Sequence, residues 1–115
     1  MEAVGEGASD YVDFVLEQLE PIRELTSSRF FGGVGLSARA VQFAMIMGNS
    51  LYFVVDDETR PKYEKMGSSC FSYRTRKGSV DVKKYYEVPG DLLEDRERLL
   101  DLARESIEIA RRLKK

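Results

Sequence analysis

At 115 residues, with 43% apolar and 33% charged side chains, the chain has material for one domain around one core, which excludes wholesale disorder and large doubly wound or barrel enzymes. It contains no histidine, which excludes an imidazole general base, a histidine-ligated zinc and a histidine-centred nucleophilic triad within the chain. The formal net charge of -2 hides an uneven distribution: residues 1–59 carry 3 basic and 10 acidic groups, whereas residues 60–84 carry 8 basic and 2 acidic.

Residues 1–8 read as a flexible acidic leader, and one domain is expected over 9–115. Ser9 or Asp10 is placed to accept a hydrogen bond from an early amide of a first helix, in which Val12, Val15, Leu16, Leu19 and Ile22 recur on one face. Pro21 predicts a kink, or an end near Glu20. From Phe30 the pattern changes to strands. Phe31-Gly32-Gly33-Val34-Gly35-Leu36 allows close backbone approach, the run Ala40 to Met47 is apolar, and Gly48-Asn49-Ser50 predicts a turn into Leu51-Tyr52-Phe53-Val54-Val55. Strict alternation would put Val41, Phe43, Met45 and Met47 on one face.

Asp56-Asp57-Glu58-Thr59 predicts the polar start of a second helix, with Pro61 in its first turn, Lys62 and Lys65 near its end and Gly67 stopping it. Phe71, Tyr73 and Thr75 alternate on a strand, Lys77-Gly78 turns it, and Val80 and Val82 return. After Val88-Pro89-Gly90, Asp91 and Glu94 resemble the reciprocal cap of a long helix with an apolar stripe of Leu92, Leu99, Leu100, Ala103, Ile107, Ala110 and Leu113. The order α-β-β-β-α-β-β-α implies a two-layer α+β domain with an antiparallel sheet.

The glycine cluster lacks the Gly-Lys-Ser/Thr ending of a phosphate-binding loop and is followed by strand, so it reads as a tight turn rather than an anion nest. Three adjacent acids at Asp56, Asp57 and Glu58 do not point together on a strand, and they read as a helix cap rather than a Mg²⁺ site. Cys70 is the only cysteine. It excludes an intrachain disulfide, suits a reducing cytoplasmic setting and reads as a small buried hydrophobe. No catalytic residue, cofactor or metal site emerges, and a non-enzymatic domain is expected, with a histidine-independent enzyme as the remoter alternative.

The basic residues Arg60, Lys62, Lys65, Arg74, Arg76, Lys77, Lys83 and Lys84 are the candidate interaction set. They suit an acidic protein partner or, as the alternative, nucleic-acid phosphates, with Tyr73, Tyr85 or Tyr86 available to stack on bases. An edge strand or the final helix offers a further contact for a protein partner or a homo-oligomer. No stretch approaches the roughly 18 apolar residues of a membrane span, and the acidic leader does not resemble a secretory signal, so no membrane partner is expected.

The ordered combination of Phe31-Gly32-Gly33-Val34-Gly35-Leu36, Phe43-Ala44-Met45-Ile46, Leu51-Tyr52-Phe53 before Asp56-Asp57-Glu58-Thr59-Arg60, Gly67 before Phe71-Ser72-Tyr73, and Tyr85-Tyr86-Glu87-Val88-Pro89 resembles the TfoX N-terminal domain family. The chain departs from that pattern at Val54, where many relatives carry lysine, and at Cys70, where proline often stands. The resemblance implies a compact α+β domain with a topology like that of type III secretion chaperones, without secretion activity. It also implies a regulatory setting, since the wider family is associated with competence regulation. Longer members carry a second, helical C-terminal domain, which this chain is expected to lack. The family supplies no catalytic constellation to carry over.

Overall fold

The computed structural model describes residues 6–114, with side chains from Asp10 onward, so most of the expected leader over residues 1–8 lies outside the described residues. The first helix, α1, runs Glu6–Gln18. Ser9 and Asp10 therefore lie inside it rather than at its start. Val15 and Leu19 are fully buried, while Asp13 and Glu17 face solvent. The helix ends instead of kinking. The Ile22 amide bonds the Leu19 carbonyl at 2.9 Å in a tightened last turn, and Pro21 has no amide with which to extend the helix. Its open carbonyls are met from far along the chain: Arg96 Nη2 donates to Glu17 O at 2.7 Å and Arg96 Nε to Gln18 O at 3.1 Å.

Six strands follow around a second helix: β1 Leu25–Phe30, β2 Gly33–Ala38, β3 Val41–Met47, β4 Ser50–Val54, α2 Arg60–Lys65, β5 Cys70–Thr75 and β6 Gly78–Glu87. They form one antiparallel sheet in the order β1-β2-β3-β4-β6-β5, confirming the α+β class. One strand more than expected precedes α2. It is β1, whose four inner residues Thr26, Ser27, Ser28 and Arg29 are all exposed, so no apolar alternation marks it.

Tight turns fix the first two hairpins. Phe31 and Gly32 connect the paired residues Phe30 and Gly33 with φ of 49° and 81°, and Arg39 and Ala40 connect Ala38 and Val41 with φ of 54° and 67°. Both central residues are left-handed in each case, the handedness that matches strand twist. Gly33 is required for packing: a Cβ there would stand 2.2 Å from the Ile46 carbonyl oxygen.

Ser27, Leu36, Ala44, Phe53, Tyr86 and Cys70 lie in register across all six strands, and the inner four of these residues are buried. This row faces the helices. Tyr86 bonds Glu64 of α2 at 2.7 Å, and the final helix lies beside α2 through a Lys62–Glu105 ion pair of 2.7 Å. The next row, with Met45, Tyr52 and Glu87 in register, projects from the other face. Strict alternation in β3 fails at Phe43. Leu36 pairs with Ala44 but Ser37 with Gln42, so Phe43 is an extra residue, and its ring comes within 6.0 Å of Phe53. Phe43 thus leaves the face expected for it with Met45 and Met47, and so does Val41, which pairs with Ala38 on the helix-facing side and lines a hollow with Ala110 and Leu113.

After β6, Gly90–Glu94 forms a 3₁₀ turn and α3 runs Arg96–Lys114. Asp95, not Asp91, starts α3: its carbonyl accepts the Leu99 amide at 2.9 Å. Leu99, Leu102, Ala103, Ser106, Ile109 and Ala110 are buried, and Leu113 is 53% exposed. The buried stripe therefore passes through Ile109, on a slightly different line from the one expected.

Candidate functional site

The face of the sheet away from the helices is the least explained by the needs of the core. Phe30 and Phe31 lie at one edge of the sheet and Phe71 and Tyr73 on the strand at the other, yet all four line one groove of about 480 Å³ together with Met47 and Tyr85. Both edges can reach a single groove only because the sheet curls, with the concave side turned from the helices. Tyr52 packs edge-on against Phe71 at 5.3 Å between ring centres, and Phe30 against Phe31 at 4.7 Å. The polar atoms of the floor are paired: Gln42 Nε2 donates to Tyr85 Oη at 3.2 Å. Burial pushes the pKa of Tyr85 up, and burial followed by the nearby Glu87 carboxylate does the same to Tyr52.

Two aromatic rings on this rim are left to solvent. Tyr73 is 48% exposed and Phe31 is 87% exposed. Phe31 combines that exposure with a left-handed backbone, a combination of strain and apolar exposure that folding alone does not favour. In the sequence Phe31 belongs to a glycine turn and Tyr73 is one of the tyrosines available to stack on bases. The signal that they share a site was non-local, since it depends on the curl of the sheet.

The eight basic candidates divide into separate groups. Arg60, Lys62 and Lys65 are on or at the start of α2. Arg60 is engaged with Asp57 at 2.8 Å and donates through Nε to the Lys83 carbonyl at 3.3 Å, while Lys62 is held by Glu105. The hydrogen bond and charge of Asp57 push the pKa of Arg60 up. Arg74, Arg76 and Lys77 cluster at the β5–β6 hairpin end, and Lys83 and Lys84 follow on β6 with Lys84 Nζ 5.9 Å from the centre of the Tyr85 ring. All five are exposed and make no ion pair among the described residues. Alternation and the helix-strand boundary keep the full set from forming one surface.

Asp56-Asp57-Glu58 serves local structure. Asp56 Oδ1 accepts from the amides of Glu58 and Thr59 at 3.0 and 2.9 Å and from the Thr59 hydroxyl at 3.1 Å, closing the turn into α2. Among the described residues no group of three or more Cys, Asp or Glu side chains converges to hold a metal ion. Cys70 is a free thiol, half-buried in register with Tyr86 rather than fully buried. No described helix is long and apolar enough to cross a membrane.

Residues 17–110 match the family described as the TfoX N-terminal domain. The chain belongs to that family. The TfoX N-terminal domain accordingly spans the end of α1, the whole sheet, α2 and α3 as far as Ala110, so the concave groove and the cationic hairpin both lie inside it. A search of curated proteins matches none.

Proposed function

We propose that this TfoX N-terminal domain is a small non-enzymatic regulatory domain of the cytoplasm that recognises a protein partner, with competence or transcription control as its setting. The partner is an extended segment that alternates apolar and acidic side chains and adds itself to the free side of β5. The observation that carries this reading is the coincidence of three features on one strand. Among the described residues β5 ends the sheet and pairs only with β6, it turns Phe71 and Tyr73 into the concave groove, and it leads into the cations Arg74, Arg76 and Lys77, which make no ion pair with those residues. An edge strand supplies main-chain hydrogen bonds, a groove beside it selects alternate side chains, and a cationic rim selects acidic ones. The family's association with competence regulation supports the regulatory setting. The single half-buried thiol suits a reducing compartment.

A photo-crosslinking residue placed at Tyr73 tests the reading in cells. A polypeptide adduct is expected from that position, and it should disappear when Arg74→Glu and Arg76→Glu reverse the charge of the hairpin. An adduct with nucleic acid, an adduct only with a second copy of this chain, or no adduct from a folded protein would each overturn it.

A further inference from the structure

A second cationic site is assembled from residues that stand far apart in sequence. Arg23 from the α1–β1 connection, Arg39 from the β2–β3 turn, and Arg104 and Arg111 from α3 line one cavity of about 380 Å³, with Ile22 and Ile107 as apolar lining. Arg104, Ile107 and Arg111 recur at helical spacing and so share a face of α3. All four arginines are exposed, and none makes an ion pair among the described residues, although Glu24 adjoins Arg23 and Glu108 lies between Arg104 and Arg111 in the chain.

The backbone holds this arrangement against preference. Arg39 and Ala40 fill both central positions of their turn with φ of 54° and 67°, where glycine or asparagine would be relaxed, and Glu24 has φ of 56°. The Arg39 amide donates to the Glu24 carbonyl at 3.3 Å, tying the two loops together beside the cavity. Four like charges around one hollow repel each other, and the repulsion is relieved by a bound anion of more than one charge. Planar guanidinium forks match phosphate oxygens in pairs, and a phosphate group has enough acceptor oxygens for several arginines at once.

We propose that Arg23, Arg39, Arg104 and Arg111 form a binding site for a phosphate-bearing ligand. The site is built on α3 and two loops, apart from the β5 edge, and stands whether or not the protein partner does. Its chemistry serves either a small phosphorylated molecule or a phosphate of a nucleic-acid strand.

Calorimetric titration of the full chain at low salt, with inorganic pyrophosphate and separately with a short single-stranded oligonucleotide, tests it. Binding of pyrophosphate identifies a small-ligand site, and binding of the oligonucleotide alone identifies a strand-backbone site. In either case Arg39→Gln and Arg111→Gln should each weaken binding about tenfold, the loss expected for one charge-assisted contact. Added salt should weaken it further, and the bound probe should raise the melting temperature of the wild type. Arg111→Lys, which keeps the charge and loses the fork, should fall between wild type and Arg111→Gln, and it covers the case in which a glutamine variant does not fold. The proposal is overturned if the folded wild type binds neither probe, if binding survives the Arg39→Gln/Arg111→Gln double substitution, or if Arg74→Gln/Arg76→Gln on the hairpin abolishes binding equally.

Discussion

Tyr86 donates its hydroxyl to Glu64 Oε2 at 2.7 Å, joining β6 to α2. The ring is buried in the row with Phe53 and Ala44, 6.4 Å from the ring of Tyr63, so only the hydroxyl reaches the exposed carboxylate. That donated hydrogen bond is the main cause that pushes the Tyr86 pKa up to about 12, with burial second. Tyr86→Phe keeps the packing and leaves Glu64 free to take water, and it should cost about 1 kcal/mol in urea unfolding.

The same groups set the alkaline limit. Burial, aided by the Glu87 carboxylate, pushes Tyr11 also up to about 12, from an ordinary value of 10.0. A raised folded pKa means the unfolded chain loses its phenolic proton first. The stability these tyrosines contribute is therefore complete below pH 10 and falls as pH rises through about 12. Urea midpoints measured across that window should fall, and they should fall less in Tyr86→Phe.

Ser106 is buried, 1% exposed, and its hydroxyl donates to the Val54 carbonyl at 2.8 Å. The bond satisfies the last residue of β4 from α3. Beside it the Tyr63 hydroxyl is buried with no partner of hydrogen-bond geometry, although Ser106 is near enough to offset part of the rise that burial imposes on the Tyr63 pKa. Ser106→Ala strands the Val54 carbonyl and should cost about 1–3 kcal/mol, read as a lowered urea midpoint with an unchanged slope. Tyr63→Phe removes an unsatisfied hydroxyl and should be close to neutral in the same measurement.

Elements with a local signature were legible in the sequence. Pro61 and Gly67 bracket α2, Gly48 turns β3 into β4, and Phe71, Tyr73 and Thr75 alternate on β5, as their chemistry dictates. β1 was not, because an edge strand of serine, threonine and arginine is held by its ladder to β2 and buries little of its own. Asp91 resembles a helix start because Asp95, four residues on, offers similar chemistry, and the Leu99 amide bond to the Asp95 carbonyl and the Arg98 amide on Asp95 Oδ1 at 3.4 Å distinguish them. The concave groove and the four-arginine cavity were hidden for one reason. Each gathers residues from distant segments, and charge counted along the chain ranked residues 60–84 above Arg23, Arg39, Arg104 and Arg111.

Phe31 sets stability against use. It is 87% exposed and has φ of 49° in a turn that favours asparagine or glycine. Phe31→Asn should raise stability by about 1 kcal/mol by relieving the left-handed strain. The same substitution removes an aromatic wall of the groove, and it should reduce the adduct formed from Tyr73. Gly33→Ala, in the same hairpin, should act in the opposite sense, because its methyl would meet the Ile46 carbonyl at 2.2 Å and break the β2–β3 ladder. A loss of about 3 kcal/mol in urea is expected for it. Equal stability of the two variants would contradict this account of the hairpin.

Asp56 provides the acid-side counterpart. The Thr59 amide is the largest cause holding its carboxyl below the ordinary value of 3.8; burial, the second largest, opposes it, and the Thr59 hydroxyl, the Glu58 amide and Arg112 at 3.6 Å add to the lowering. A depressed folded pKa means the unfolded chain takes up the proton first. The stabilisation is thus present above about pH 4 and is lost as pH falls through the folded value. Asp56→Ala removes the acceptor that closes the turn before α2 and should cost about 1–2 kcal/mol at neutral pH. The gap between wild type and variant should narrow on acidification, because protonation removes from the wild type the charge that the substitution has already removed. Urea titrations of the pair at neutral and at acid pH measure that gap, and a gap that stayed constant would show that the turn depends on the shape of Asp56 and not on its charge.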